Sequence, residues 1–189
     1  MSVFQLKGLE HEQFAPLFDL SDRELKARGI LRHFAEENAG YPCRVSLQDA
    51  GIGDELLLLH YRHHAVDSPY RASGPIYVRR GQKRQVLAPD IIPDYVLRRI
   101  ISVRAYNAKH MMIAAEVSEG SGVAHVLNKI LADAAVAYVQ LHNARQGCFS
   151  CQVDRAWCVA PTNCGRLVQA IIPEGQPLDT MPIPTPGKP

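Results

Sequence analysis

The sequence lacks long apolar runs, a strong charge bias and an even number of cysteines, and each absence argues against a class of protein. No stretch approaches the roughly 20 apolar residues that a membrane-spanning helix needs. The net charge of +2 at pH 7 is too small to indicate a nucleic acid or an acidic membrane surface as a partner. Five cysteines are an odd number, which disfavours a complete disulfide framework.

Several motifs with known chemistry are missing as well. The chain has no glycine-rich dinucleotide fingerprint, no phosphate-binding loop, no nucleophile elbow and no HExxH metalloprotease motif. The N-terminal segment has no basic region followed by an apolar one, so we expect no signal peptide and a cytoplasmic location. The sequence therefore names no reaction and no cofactor, and it leaves open an enzyme without a recognisable signature.

The residues that are present have the composition of an ordinary globular domain. The chain has 189 residues, of which 47% are hydrophobic and 21% are charged. A chain of this length can build one core without disulfide or metal staples. We expect one α+β domain over residues 1–156, followed by an extension over residues 157–189. Because the extension becomes rich in proline and poor in apolar bulk, we expect it to be largely disordered from about residue 173.

Three segments carry clear helix signals. A capping box formed by Ser21 and Glu24 opens a helix that is predicted to run to about His33. Proline and apolar residues over 93–101 predict a second helix. The clearest helix covers residues 122–131, where apolar side chains recur at the helical period.

Short alternating or apolar segments, bounded by turn residues, predict the strands. These segments are residues 3–6, 43–47, 55–60, 76–79, 85–88, 102–106 and 111–117. A final strand, turn and strand follow over residues 136–154. Since short turns join several of these strands, we predict an α+β fold with a mainly antiparallel or mixed sheet and three to four helices.

The final hairpin concentrates the side chains that are able to do chemistry. His142, Arg145, Cys148 and Cys151 lie around one reversal of the chain. His142 and Arg145 are suited to binding an anion or to taking up a proton. The alternative is an ordinary surface turn stabilised by hydrogen bonds.

Cys148 and Cys151 form a CxxC pair that has two chemical interpretations. A redox pair needs its first cysteine at a helix N-terminus, whereas Gly147 and the alternation after it predict a strand. A zinc site would add Cys158 and Cys164, but these do not form the second closely spaced pair of a zinc knuckle. We therefore expect Cys151 to pack as a small hydrophobic residue and Cys148 to lie at a turn.

Cys43 and a group of histidines supply further candidates. Cys43 as a nucleophile would need a base such as His142 or His60 beside it, and the alternative is a buried, inert thiol. His60, His63 and His64 lie close together in the sequence. With His142 and a carboxylate they would suit iron or zinc, but no motif spacing requires a metal and we predict none.

A polar loop predicted over residues 63–74 is stiffened by two prolines. It contains Ser68, Tyr70 and Arg71. Stiff loops on a sheet commonly display binding groups, and Arg71 could hold a carboxylate or phosphate with paired hydrogen bonds. The alternative is a turn in which the Tyr70 ring covers the end of the sheet.

Three segments together resemble the DUF1203 family, a group of bacterial proteins of unknown function. Their characteristic runs are YPCRVSL (41–47), SPYRASGPI (68–76) and HNARQGC (142–148), and the FAPLFDLSDRE run (14–24) is also similar. The resemblance covers about residues 1–156 and implies no particular activity, substrate or cofactor. It places in the family pattern Cys43, Arg44, Ser68, Tyr70, Arg71, His142 and Cys148.

These residues support three hypotheses about function. The first is a domain that binds a small anionic molecule in a pocket between the 63–74 loop and the 142–148 turn. The anion would be held by Arg44, Arg71 or Arg145. The other candidate ligand-binding residues are His60, His63, Ser68 and Tyr70. The second hypothesis is a thiol-dependent enzyme or redox protein that uses Cys43 or Cys148 with His142, and the third is a structural or interaction module.

Overall fold

The computed structural model describes residues 3–156, which form two five-stranded sheets and three α-helices. Sheet 1 has the strand order β1 (Val3–Lys7), β10 (Phe149–Ala156), β9 (Tyr138–Asn143), β7 (Ile100–Tyr106) and β8 (Met112–Glu119). Sheet 2 has the order β2 (Leu31–Phe34), β5 (Glu55–His64), β6 (Ala72–Arg79), β3 (Pro42–Cys43) and β4 (Gln48–Asp49). The helices are α1 (Asp22–Ala27), α2 (Asp94–Leu97) and α3 (Val123–Leu131), and short 3-10 helices cover Ala15–Asp19 and Gly120–Gly122.

The pairing of the strands confirms a mixed helix and sheet protein that is mainly antiparallel. Every strand pair is antiparallel except β3 and β6, which run parallel. The strands lie in two sheets, which local sequence patterns did not predict. No helix within residues 3–156 is long and apolar enough to span a bilayer. The predicted disorder of the tail falls on residues 157–189, outside the described part of the chain.

One face of sheet 1 packs against α3, as the helical period of its apolar residues predicts. Val126, Leu127 and Leu131 of α3 join a buried cluster with strand residues such as Val139 and Leu141. Fully burying such a side chain contributes about 1.5–3 kcal/mol. This core makes sheet 1 a rigid support for the turn between β9 and β10.

Sheet 2 has its own core, which faces the N-terminal segment of the chain. Phe14, Phe18 and Leu25 pack against Leu57 of β5 and Val78 of β6. Strand β5 lies between β2 and β6, which confirms the prediction that the apolar run after Glu55 is a central strand.

The helix that begins after Ser21 is shorter than the predicted one. The capping box forms, because Glu24 Oε2 accepts from the Ser21 backbone N–H at 2.8 Å. The helix ends at Ala27, however, and Leu31–Phe34 form β2 instead. Gly29 has a φ of 69°, a left-handed conformation that terminates helices, and the chain then pairs with β5.

The predicted strand over residues 43–47 was wrong beyond its first residue. Strand β3 ends at Cys43, and the next four residues form a turn that leads into β4. Leu47 has a φ of 54°, which no strand residue adopts. Arg44 is therefore the first residue of a tight turn, which we call the Arg44 turn (residues 44–47).

Three other predicted boundaries also differ in the structure. Strand β5 extends through His64 and β6 begins at Ala72, so the connecting loop covers residues 65–71 rather than 63–74. The predicted strand at 85–88 reduces to one bridge between Lys7 and Val86. The helix that follows Pro93 ends at Leu97, because residues 100–106 pair into sheet 1 as β7.

The final hairpin folds as the sequence predicts. β9 and β10 are antiparallel, and Gly147 in the turn between them has a φ of 73°. Cys151 packs in the core of sheet 1, and burial raises the pKa of its thiol to about 11. Cys148 lies in the turn and is partly exposed. This arrangement confirms the roles that the alternation assigned to these two cysteines.

Candidate functional site

The β9–β10 turn of sheet 1 approaches β3 and β6 of sheet 2, and a cavity of about 330 Å³ lies at this meeting point. We call it the junction cavity. Its walls are formed by Gly40, Pro42, Arg44, Leu58, Pro75, Tyr77, Arg99, Asn143, Gln146 and Cys148. Both sheets contribute to it, so its shape depends on how the two sheets pack.

Arg44 is a buried cation in the wall of the junction cavity. It is only 3% exposed. Its Nε donates to the Phe149 carbonyl at 2.7 Å, and its Nη1 donates to the Pro42 carbonyl. Within residues 3–156, Arg44 forms no ion pair with a carboxylate, although most buried guanidinium groups have one. Burial lowers the pKa of Arg44, because water no longer solvates its charge.

The backbone of Arg44 is fixed from two sides. Its N–H donates to the Tyr77 carbonyl at 3.0 Å, and its carbonyl accepts from the Leu9 N–H at 2.8 Å. Gly8 packs so closely that a Cβ placed there would lie 2.0 Å from the Val45 carbonyl oxygen. The Arg44 turn is therefore held between the end of β1 and β6, which orients its guanidinium group.

Arg99 lies in the same cavity wall, but its charge is compensated. Its two terminal nitrogens donate to the two carboxylate oxygens of Asp49 at 3.2 and 2.7 Å. It also donates to the backbone carbonyls of Tyr95 and Ala39 at 2.5 and 2.6 Å. Arg99 thus crosslinks β4 to the end of α2 and shapes the wall, while Arg44 keeps an uncompensated positive charge.

A second cavity of about 280 Å³ adjoins the junction cavity and shares three of its wall residues, Arg99, Asn143 and Gln146. We call it the arginine cavity. Its full lining is Arg98, Arg99, Ile100, Glu119, Asn143, Arg145 and Gln146. Arg145 is exposed at the tip of the β9–β10 turn and has no ion pair among the described residues. Each cavity therefore contains one arginine that lacks a carboxylate partner.

Asn143 lies where the two cavities adjoin. It is 6% exposed, and its side-chain Oδ1 is buried without a hydrogen-bond donor in residues 3–156. Its backbone N–H donates to the Cys148 carbonyl at 2.9 Å, and its carbonyl accepts from the Gly147 N–H at 2.7 Å. Because these two bonds hold the backbone in place, the unpaired oxygen belongs to a rigid part of the turn.

A separate group of rings also lies between the sheets. We call it the histidine–tyrosine cluster, and its members are His63, His64, Tyr70, Tyr106, His110, Tyr138 and His142. It contains an ordered chain of hydrogen bonds. His64 Nδ1 donates to the Tyr70 carbonyl at 2.7 Å, so its Nε2 is left to accept from the Tyr138 hydroxyl at 2.7 Å. The Tyr138 oxygen can then accept from His110 Nδ1, which lies 2.8 Å away. Burial raises the pKa of Tyr138 to about 12, so its hydroxyl remains a donor at neutral pH.

His142 contacts the ring of His63 rather than the hydrogen-bonded chain, and it is almost fully buried. Its Nδ1 lies 3.2 Å from the Gly147 carbonyl and its Nε2 lies 3.4 Å from Gln140 Oε1. Burial and the nearby positive charge of Arg104 lower the pKa of His142 to about 3, so the ring is neutral at physiological pH. No hydrogen bond joins this ring to the thiol of Cys148 in the described residues. Its contact with Gly147 instead holds the turn that carries Cys148.

The sequence profile of the family described as "Protein of unknown function (DUF1203)" matches residues 40–155. The chain belongs to the DUF1203 family. All residues that line the two cavities fall inside this DUF1203 region, and so do the three characteristic runs that begin at Tyr41, Ser68 and His142. The similar run that begins at Phe14 precedes it. Searches of curated proteins and of solved structures gave no match.

Three of the predicted site residues of this DUF1203 chain line the junction cavity or the arginine cavity. Arg44 and Cys148 line the junction cavity, and Arg145 lines the arginine cavity. His63 and His142 lie in the histidine–tyrosine cluster, with their ring centres 5.0 Å apart. The two groups are linked through Phe149, whose ring stacks on His63 and whose carbonyl accepts from Arg44.

Ser68 and Tyr70 lie at the histidine–tyrosine cluster and line neither cavity. The Ser68 hydroxyl donates to the His110 carbonyl at 3.1 Å and accepts from the Tyr70 N–H at 3.0 Å, which ties the 65–71 loop to sheet 1. The Tyr70 ring meets Tyr106 of β7 with 6.1 Å between ring centres. These contacts favour the interpretation in which the loop covers the sheet.

The remaining predicted residues lie away from both cavities. His60 is exposed, and its Nε2 lies 2.8 Å from the Ser73 hydroxyl. Arg71 is exposed and pairs with Asp67 at 3.2 Å. Cys43 is fully buried and does not line the junction cavity, and its sulfur accepts from the Arg79 N–H at 3.3 Å.

Sequence reasoning missed Arg99, Asn143 and Gln146, the three residues that the cavities share. Asn143 and Gln146 stand within the HNARQGC run that resembles the family, so attention to the whole run would have included them. Arg99 carries no local signal, because its partner Asp49 is 50 residues away in the chain.

The described part of this DUF1203 protein contains no group of three or more His, Cys, Asp or Glu side chains that could hold a metal ion. Cys158 and Cys164 of the zinc interpretation lie outside residues 3–156. The chemistry that the described site offers is therefore that of positive charge, amide groups and one accessible thiol.

Proposed function

We propose that this DUF1203 domain binds a small oxyanion, a carboxylate or a phosphate, in the junction cavity through Arg44. The observation that carries the proposal is the buried guanidinium of Arg44, which has no carboxylate partner in residues 3–156. Leaving a buried charge unpaired costs several kcal/mol. A bound anion would supply the missing counter-charge.

The hydrogen-bonding capacity of Arg44 supports this proposal. A guanidinium group has five N–H donors, and the Phe149 and Pro42 carbonyls accept from two of them. The remaining donors suit the paired oxygens of a carboxylate or phosphate. Because the Arg44 turn is already fixed, little conformational entropy would be lost when the anion binds.

Calorimetric titration with succinate and with inorganic phosphate tests this function. We expect the unaltered chain to bind at least one of them, and Arg44→Met to weaken that binding by at least roughly ten-fold, since charge-assisted hydrogen bonds contribute about 1.5–3 kcal/mol. Arg62→Met is the matched control, because Arg62 is exposed on β5 and lines neither cavity. Full binding by a folded Arg44→Met variant, or no binding of either anion by the unaltered chain, would overturn the proposal.

A thiol-dependent activity is the second candidate function, and the position of Cys148 favours it. Cys148 is partly exposed and lines the junction cavity with Arg44, whereas Cys43 and Cys151 are buried. The charge of Arg44 would attract an anionic substrate to this thiol. His142 would act by holding the turn through Gly147 rather than as the base.

Competitive alkylation tests this candidate. We expect Cys148 to react before the two buried cysteines. We also expect it to prefer negatively charged iodoacetate over neutral iodoacetamide more strongly than free cysteine does. Arg44→Met should remove that preference, and peptide mass mapping would measure it. The decisive quantity is the ratio of the reaction rates with iodoacetate and with iodoacetamide. If this ratio is no higher for Cys148 than for free cysteine, Arg44 does not direct anions to the thiol.

A further inference from the structure

The unpaired oxygen of Asn143 constrains the chemistry of the bound anion. We infer that the ligand is a small acid with a hydroxyl or amino group beside its charged group, and that Asn143 Oδ1 accepts a hydrogen bond from that group. The inference rests on the proposed function, because it concerns the same pair of cavities. It adds a ligand class that the charge of Arg44 alone does not define.

Asn143 Oδ1 requires a hydrogen-bond donor. In folded proteins nearly all buried polar side-chain atoms have a hydrogen-bond partner, and each exception needs an explanation. Asn143 is 6% exposed, and no described residue donates to its Oδ1. The residue lines both cavities, so a molecule bound there lies beside its side chain, and a rotation of the amide group would bring Oδ1 to it.

A simple carboxylate would not satisfy this oxygen. The oxygens of an ionised carboxylate only accept hydrogen bonds. They match the N–H groups of Arg44, but they cannot donate to Asn143 Oδ1. A carboxylate ligand that satisfies both residues therefore carries a donor in addition to its carboxylate group.

Two arginines that line the cavities have no carboxylate partner among residues 3–156. Arg44 lies in the junction cavity and Arg145 in the arginine cavity, while Asn143 lines both. In a dicarboxylate with a hydroxyl or amino group between its two ends, a hydrogen-bond donor lies between two carboxylates. The two carboxylates would match Arg44 and Arg145, and the donor would match Asn143. Hydroxy-dicarboxylates and amino-dicarboxylates are thus the members of this class that best match the charges.

Malate and succinate form a matched pair for testing this inference, because they differ by one hydroxyl group. In calorimetric titrations of the full chain, we expect malate to bind at least roughly ten-fold more tightly than succinate, since leaving a buried acceptor unpaired costs about 1–3 kcal/mol. Aspartate tests the amino group in the same way. Asn143→Ala should remove most of the difference between malate and succinate.

The outcomes separate this inference from the proposed function. Equal affinities for malate, aspartate and succinate would overturn the inference and leave anion binding by Arg44 intact. Absence of binding by all three acids and by phosphate would overturn both. Asn128→Ala, an exposed change on α3 away from the cavities, is the control and should keep the preference for malate. The comparison on the unaltered chain decides the matter even if Asn143→Ala does not fold.

Discussion

At the scale of single residues, the arginines of this protein differ in how their charges are compensated. Arg79 pairs with Asp54 at 2.7 Å and Arg99 pairs with Asp49, whereas the buried Arg44 is bonded to two backbone carbonyls. Carbonyl oxygens satisfy hydrogen bonds without supplying a full negative charge. The buried charge of Arg44 therefore does not stabilise the fold as an ion pair would, and it remains available to a ligand.

His142 should make the stability of the protein depend on pH in the acid range. Its pKa falls from the ordinary 6.5 to about 3 in the folded protein, because burial and the charges of Arg104, His63 and Arg44 oppose protonation. Below pH 6.5 the unfolded chain takes up a proton that the folded chain does not. The free energy of unfolding should therefore fall by about 1.4 kcal/mol per pH unit from pH 6 towards pH 3 on account of this residue.

Urea unfolding at a series of pH values would measure this effect. His142→Asn should show a shallower loss of stability between pH 6 and pH 4 than the unaltered chain. His125→Asn, an exposed change on α3, controls for the loss of one histidine and should leave the slope unchanged. Identical slopes for the His142→Asn variant and the unaltered chain would show that His142 is not held neutral.

At the scale of elements, two turns carry the residues of the candidate site, and the sequence predicted only one of these turns. The β9–β10 turn follows a strand with clear alternation and contains Gly147, so local signals define it. The YPCRVSL run also alternates, yet only Pro42 and Cys43 pair as a strand. The close approach of Gly8 and the hydrogen bonds from Leu9 and Gln85 hold the following residues in a turn, and these are long-range contacts.

Gly8→Ala should disturb the Arg44 turn. The added methyl group would lie 2.0 Å from the Val45 carbonyl oxygen, a backbone atom that can move only with the turn. We expect the free energy of unfolding to fall by about 3 kcal/mol, the upper end for overpacking, and anion affinity to fall with it. Chemical unfolding and calorimetry would measure the two effects.

Gly74→Ala is the matched control for that change. A Cβ at Gly74 meets no atom within 4 Å, so stability and anion binding should stay nearly the same. If Gly8→Ala proves as harmless as Gly74→Ala, the Arg44 turn is not fixed by the end of β1.

At the scale of the whole molecule, local patterns predicted the fold class but not the assembly of the site. The helical period of α3, the central strand β5 and the final hairpin could be predicted, because each depends on neighbouring residues. The division into two sheets could not, since it depends on which strands pair across the chain. The contact between Arg44 and Phe149 joins residues that are 105 positions apart, and no local pattern encodes it.

The meeting of the two sheets is therefore the feature on which the functional account depends. Sheet 2 supplies Pro42 and Tyr77, sheet 1 supplies Asn143, and the turns beside them supply Arg44 and Cys148. Neither sheet alone forms the junction cavity. A binding site at such a junction is a common arrangement, since packed elements leave concave surfaces between them.

The most direct test of the central claim is a crystal structure of the chain grown with selenate, whose anomalous scattering marks the position of a bound oxyanion. If Arg44 holds an oxyanion, an anomalous peak lies in the junction cavity within hydrogen-bond distance of its guanidinium group. Anomalous peaks only on exposed arginines or lysines, with none beside Arg44, would contradict it.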